Sequence, residues 1–155
     1  MSKRWFYKEE LFFTTQEEQL ADDNQDKIIE LLGRNLAVGV VGGFYEEGFP
    51  IYFISSFALG NMGMTYEQFI GKTGGCYLKA IYEPDRKIFT RVHLPGEEEV
   101  REYRLLNGND EPVWVREIRT ESNAPDGRKI WICALRLIDE EYRVSQLSYE
   151  AFRML

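Results

Sequence analysis

Few side chains in this sequence are reactive near neutral pH, and they are scattered. There are two cysteines, Cys76 and Cys133, and one histidine, His93. Two thiols cannot build a disulfide framework or a closed structural zinc site. A single imidazole excludes any metal site made of several histidines. Cys133 lies inside an apolar run and reads as core, since a free cysteine packs as a small hydrophobe. His93 falls near the end of a helical stretch, where an imidazole complements the helix dipole. Gly71-Lys72-Thr73 looks like the end of a phosphate loop, but the glycine that motif needs five residues earlier is Tyr66. Gly39-Val40-Val41-Gly42-Gly43 has neither the spacing nor the following helix of a dinucleotide fingerprint. The acidic runs Glu97-Glu98-Glu99 and Asp22 to Asp26 lack the ligand spacing of a calcium loop, whose closing glutamate would fall at Gly33. What is abundant is aromatic: 14 % of the residues are Phe, Trp or Tyr. Such rings form a core or line a pocket, where phenols can orient a ligand.

The elements that must position those rings fit one domain. The chain has 155 residues, 44 % hydrophobic and 29 % charged, a soluble globular composition. Its formal net charge is -7, from 19 basic and 26 acidic residues. That balance argues against sequence-independent nucleic-acid binding and against contact with an anionic membrane, both of which want a basic face. The longest apolar runs, such as Phe53 to Leu59, are far too short to span a bilayer. No basic region followed by an apolar stretch opens the chain. A cytoplasmic location is the expectation.

Thr15 and Glu18 form a capping box, and Ile28, Leu31 and Leu32 follow at helical spacing before Gly33. A helix over about Gln16 to Leu32 is predicted, within an N-terminal helical extension of residues 1–33. Ala37 to Tyr45 reads as a strand with a glycine-marked bulge, and Ile51 to Ile54 as its hairpin partner. Short helices follow over Ser56 to Met62 and from Thr65, capped by Thr65 and Gln68 and ended by Gly71. A third runs from Pro84, well placed as a first helical residue, to Leu94. Val100 to Leu106, Val113 to Thr120 and Lys129 to Ile138 make an antiparallel meander, with turns at Asn107-Gly108-Asn109-Asp110 and Pro125-Asp126-Gly127. Val144, Leu147, Ala151 and Met154 then repeat like a heptad seam. The fold class is α+β: a five-stranded antiparallel sheet with short helices on one face, flanked by N- and C-terminal helices.

This order, together with several motifs, resembles a PAS domain. Gly63-Met64-Thr65-Tyr66-Glu67-Gln68-Phe69-Ile70-Gly71-Lys72 is similar to the family's G-[YM]-T-x-E-E-[LF]-x-G-K segment. Tyr82-Glu83-Pro84-Asp85-Arg86 resembles its H-P-D-D-R helix start. Glu102-Tyr103-Arg104, Asn107-Gly108 and Trp114-Val115 resemble its E-Y-R, D-G and W-V hairpin. Ile51 to Ser55 resembles its second strand, with Ser55 where the family usually has Asn. Ile138-Asp139 is similar to its closing D-I-T. The turn between the third and fourth strands is extended by Asn109-Asp110-Glu111-Pro112. The resemblance covers about Leu31 to Glu140. It implies a sensor domain over 34–139 and the start of an outgoing signalling helix over 140–155, of the kind that joins PAS domains to diguanylate cyclase, phosphodiesterase or histidine kinase output domains. No output domain is in this chain, and the seam stopping in mid-pattern suggests a longer protein.

The resemblance further implies a cavity between sheet and helices. Its candidate lining is Phe53, Phe57, Phe69, Tyr77, Tyr82, Phe89, His93, Tyr103, Trp131 and Cys133. The signalling and dimer helix would use Asp139, Val144, Leu147, Ala151 and Met154. Two cofactors of the family are disfavoured. Flavin light sensors carry a reactive Cys in N-C-R-F-L-Q, whereas Gly75 and Lys79 flank Cys76-Tyr77-Leu78 here, and Trp114, Val115 and Arg116 stand where ring-binding Asn or Gln is wanted. Haem would rest on His93 alone. The expectation is therefore a non-catalytic homodimeric sensory module, with a small-molecule or partner ligand and no cofactor, metal or nucleic acid. Two alternatives stand beside it: a small isomerase or hydratase with a cone-shaped sheet, and a purely structural dimerisation domain with a filled core. A carboxylate facing a tyrosine inside the cavity would favour the enzyme.

Overall fold

The computed structural model describes residues 2–6, 9–14, 38–91 and 99–139. The predicted helix over Gln16 to Leu32, His93, and the seam residues Val144, Leu147, Ala151 and Met154 lie outside them. The strands are β1 (Ser2–Phe6), β2 (Glu9–Phe13), β3 (Gly39–Phe44), β4 (Ile51–Ser55), β5 (Val100–Leu106), β6 (Pro112–Asn123) and β7 (Lys129–Leu137). The helices are α1 (Ser56–Asn61), α2 (Tyr66–Thr73), α3 (Tyr77–Ala80) and α4 (Arg86–Thr90), with a 3-10 turn over Glu83–Asp85. All strand pairs are antiparallel, in the order β1-β2-β4-β3-β7-β6-β5.

The sheet thus has seven strands, two more than expected. The extra pair is an N-terminal hairpin whose second strand docks on β4, pairing Leu11 with Ser55 and Phe13 with Phe53. The Thr14 hydroxyl fastens its end by donating to the Ile51 carbonyl at 2.6 Å.

Side chains alternate across β7. Trp131, Cys133 and Leu135 join Val41, Ile54, Tyr103, Val115 and the helices in one buried cluster. Ile130, Ile132 and Ala134 join Leu11, Phe13, Val40, Tyr52 and Phe53 in a second. Both faces of the central strands are buried, which accounts for the apolar runs of β4 and β7.

The local signals explain most element ends. Thr65 caps α2: its hydroxyl accepts from Gln68 N–H at 3.1 Å, and Gln68 Oε1 accepts from Thr65 N–H at 2.9 Å. The helix runs past Gly71 and ends after Thr73, because Gly74 is the residue in the left-handed conformation, φ 64°. Ser55 does the capping work expected of the missing Asn. It is fully buried and its hydroxyl accepts from Val40 N–H at 2.9 Å and Ala58 N–H at 3.3 Å. The helix predicted from Pro84 is shorter and divided: Pro84 sits in the 3-10 turn and α4 ends at Thr90.

The motif segments meet in pairs. Asp85 accepts from the Arg104 guanidinium through both oxygens, at 2.8 Å each, and from the Arg104 backbone N–H at 2.8 Å. Arg104 also lies over the rings of Tyr82 and Trp114, 4.5 and 4.8 Å from their centroids. Lys72 donates to the Gly108 carbonyl at 3.0 Å and to Asp110 at 2.9 Å, so α2 grips the β5–β6 turn.

Gly43 is glycine for lack of room. A Cβ there would lie 2.6 Å from the Pro50 carbonyl oxygen and press on the buried Trp131 indole. Gly43→Ala should therefore destabilise the domain by about 1–3 kcal/mol, the usual cost of overpacking, read as a lowered urea midpoint.

Candidate functional site: a buried ion pair behind an arginine-lined cavity

β5 and β6 pair Arg101 with Glu117 and Tyr103 with Val115, and β6 and β7 pair Arg119 with Cys133. Strand alternation therefore sends Arg101, Tyr103, Glu117, Arg119 and Cys133 to the helix side of the sheet. Tyr77 reaches them from α3. There the side chains form one chain of hydrogen bonds. The Tyr77 and Tyr103 hydroxyls are 3.0 Å apart, and Tyr103 donates to Glu117 Oε1 at 2.7 Å. Arg119 Nε donates to Glu117 Oε2 at 2.7 Å and Nη2 to Oε1 at 3.0 Å.

Glu117 is 0 % and Arg119 7 % exposed. Charges so deeply buried persist only when paired and hydrogen-bonded, and each Glu117 oxygen here has a donor. The electrostatics follow. Burial, and then the Glu117 charge, push the Tyr77 and Tyr103 phenols well above their usual range. The same two influences push the Cys133 thiol up, which keeps it protonated and unreactive. For Arg119 burial acts downward, but the Glu117 carboxylate, through its charge and its hydrogen bonds, outweighs it and holds the guanidinium above its ordinary value.

Around this chain the rings close up. Phe89 lies 5.2 Å from Tyr77, 5.9 Å from Tyr103 and 5.3 Å from Trp131, centroid to centroid, and Tyr77 lies 5.3 Å from Trp131. The Arg119 guanidinium covers the Phe89 ring at 4.3 Å. Beside them a cavity of about 610 Å³ opens, lined by Tyr45, Phe49, Phe89, Thr90, Arg91, Glu99, Arg101, Arg119, Thr120, Glu121 and Lys129. Arg101 forms part of its wall. It is ion-paired with Glu99 and donates to the carbonyls of Ile88, at 3.2 Å, and Phe89, so it caps the end of α4.

The candidate residues are distributed unevenly. Phe69, Tyr77, Phe89, Tyr103, Trp131 and Cys133 come together in the helix-side core, and of these Phe89 also lines the cavity. Phe53 is on the opposite face, against Phe13 and Tyr52. Phe57 is 39 % exposed. Tyr82 lies beneath Arg104, away from the cavity. Asp139, at the end of the described chain, is exposed. Glu117, Arg119 and Arg101 were not anticipated. Their one signal is parity, since positions 113, 115, 117 and 119 share a face with Val113 and Val115. A carboxylate does face a tyrosine inside the cavity, where the Tyr45 hydroxyl donates to Glu121 Oε1 at 2.9 Å at an exposed position; the buried pair, Tyr103 with Glu117, sits behind Arg119 and does not line the cavity. Cys76 is a free, half-buried thiol that begins α3.

Replacing Glu117 by Gln leaves the Arg119 charge buried without its counter-ion and should cost about 3–5 kcal/mol in guanidinium unfolding. Tyr103→Phe removes one hydrogen bond to a charged acceptor and should cost about 1.5–3 kcal/mol. The raised phenol pKa values fix the direction of a pH effect. The folded state favours the neutral phenols, so their contribution is fully present below the unfolded tyrosine pKa of about 10 and is lost as the pH rises above it. Tyrosinate absorbance from Tyr77 and Tyr103 should therefore appear only together with alkaline unfolding.

No family model and no curated protein matches this sequence. Solved structures do match. A light-oxygen-voltage domain studied with a flavin analogue has a TM-score of 0.54 at 14 % identity, over 82 % of this chain and 96 % of that one. A sensory box histidine kinase/response regulator from Burkholderia thailandensis E264 has a TM-score of 0.52 at 16 % identity, over 82 % of this chain and 98 % of that one. Both are sensory domains of one fold. This chain has that fold, a PAS-like α+β fold, with a further hairpin added at the edge of the sheet.

Proposed function

We propose that the chain is a non-catalytic sensory module that binds a small ligand in the cavity beside Arg119 and passes the event to a C-terminal output domain. The observation that carries this reading is the position of the cavity. Its inner wall is Arg119 of β6, which is paired directly with Cys133 of β7, and β7 leads into the outgoing segment at Ile138 and Asp139. A ligand with different affinity for two packings of the flanking helices would favour one of them. The second strand of support is chemical. Glu117 has both oxygens engaged, and the phenols beside it are held protonated, so this buried acid–tyrosine pair has no free proton acceptor to offer a substrate, while the Tyr45–Glu121 pair at the cavity is exposed to solvent rather than buried. This weighs against an isomerase or hydratase. Among the described residues no cluster of His, Cys, Asp and Glu is arranged to hold a metal ion.

A flavin fits these residues poorly. Tyr77, Phe89, Tyr103 and Trp131 are all 0 % exposed and fill the space between α3, α4 and the sheet, so a tricyclic ring system there would have to displace them. Among the described residues no helix is long and apolar enough to cross a membrane.

Native mass spectrometry of the purified chain, with an absorbance scan, tests the reading. The expected result is a dimer carrying a bound small molecule and no flavin or Soret band. A flavin or haem spectrum would overturn the assignment of no cofactor. Self-association is assigned to the seam of Val144, Leu147, Ala151 and Met154. Leu147→Glu should shift the sedimentation mass toward the monomer; an unchanged mass would remove the seam from the dimer contact.

A further inference from the structure

The guanidinium at the inner end of the cavity is not fully satisfied. The Arg119 side chain is 4 % exposed. Glu117 accepts from Nε and Nη2, the Cys133 sulfur, a weak acceptor, lies within reach of the guanidinium, and Nη1 meets no oxygen acceptor among the described residues. A guanidinium carries five N–H donors, and buried donors are rarely left without partners. Arg101, the other buried guanidinium of the wall, differs: Glu99 and the carbonyls of Ile88 and Phe89 occupy its nitrogens. The unmet donors therefore belong to Arg119, and the cavity lies against it.

The rest of the lining suggests what would meet them. Phe49 packs edge-on to Phe89 at 5.1 Å and to Tyr45 at 6.4 Å, making an apolar aromatic wall. Arg91 and Lys129 add positive charge nearer the opening, Lys129 with Glu121 as partner at 2.8 Å. We propose that the cavity selects an aryl carboxylate, its carboxylate on Arg119 Nη1 and its ring against Phe49 and Phe89. The proposal rests on the cavity being the ligand site and adds the class of ligand. A charged acceptor forms the stronger bond to a guanidinium, and a planar body suits an aromatic wall.

Phenylacetate and indole-3-acetate, each compared with its neutral amide, test this by ligand-detected NMR and thermal shift. The acids should bind about tenfold or more tightly than the amides. In the wild-type chain, the Arg119 side-chain 15N signals should move with the acid and not with the amide. Because Arg119→Gln alone would strand the Glu117 charge, the variant to use is Glu117→Gln/Arg119→Gln, which keeps a neutral hydrogen-bonded pair. It should lose the preference for the acid. Equal binding of acid and amide would overturn the carboxylate assignment while leaving the cavity as a ligand site. Binding of neither would overturn both. An acid preference that survives in the folded double variant would remove Arg119 as the anchor.

Discussion

The helix side of this domain is organised around one desolvated ion pair. Placing Glu117 and Arg119 under a layer of aromatic rings is unfavourable unless the carboxylate and guanidinium meet with good geometry and the remaining lone pairs find donors. Those conditions order their surroundings. Tyr103 must point its hydroxyl at Glu117, Tyr77 must approach Tyr103, and Phe89 must offer its face to Arg119. Short helices α3 and α4, of 4 and 5 residues, have little intrinsic stability. They are held because Tyr77 and Phe89 are part of this arrangement and because Arg101 and the Asp85–Arg104 pair secure α4 and the turn before it.

What was legible in the sequence was local. The Thr65–Gln68 capping box lies within one turn of helix and could be read without knowing what it packs against. The family-like segments were legible as separate words. Their contacts were not, since Asp85 with Arg104 and Lys72 with Gly108 are joined only through the fold. The core charges escaped for a different reason. Strand alternation groups Glu117 and Arg119 with Val115, but Arg116 and Ile118 alternate as plausibly on the other face, and parity does not say which set is enclosed. The N-terminal hairpin escaped because the Tyr7-Lys8 connection carries no glycine, proline or asparagine signal and the apolar spacing before it is mixed. Gly71 was misjudged as a stop because helices tolerate a glycine with open space around it; the backbone conformation that ends α2 is reached at Gly74.

Three uses account for much of the aromatic excess among the described residues. One set, centred on Phe89 and Trp131, seals the ion pair. A second, with Phe13, Tyr52 and Phe53, fills the other face of the sheet. A third, Tyr45 and Phe49, stands at the cavity wall. Composition could not separate them, since each is a ring on or near a strand; the register of β3, β4 and β7 does.

The hairpin also changes where the sheet ends. Without it, β4 would present an open row of backbone donors and acceptors along Ile51-Tyr52-Phe53-Ile54-Ser55, an apolar, uncharged, strand-forming stretch of the kind that templates intermolecular β-pairing. β2 takes that row, and the outer position passes to β1, whose sequence includes Lys3 and Arg4. The β1–β2 hairpin thus covers that edge, and a chain begun after Thr14 would leave β4 open to pairing with a strand of another molecule.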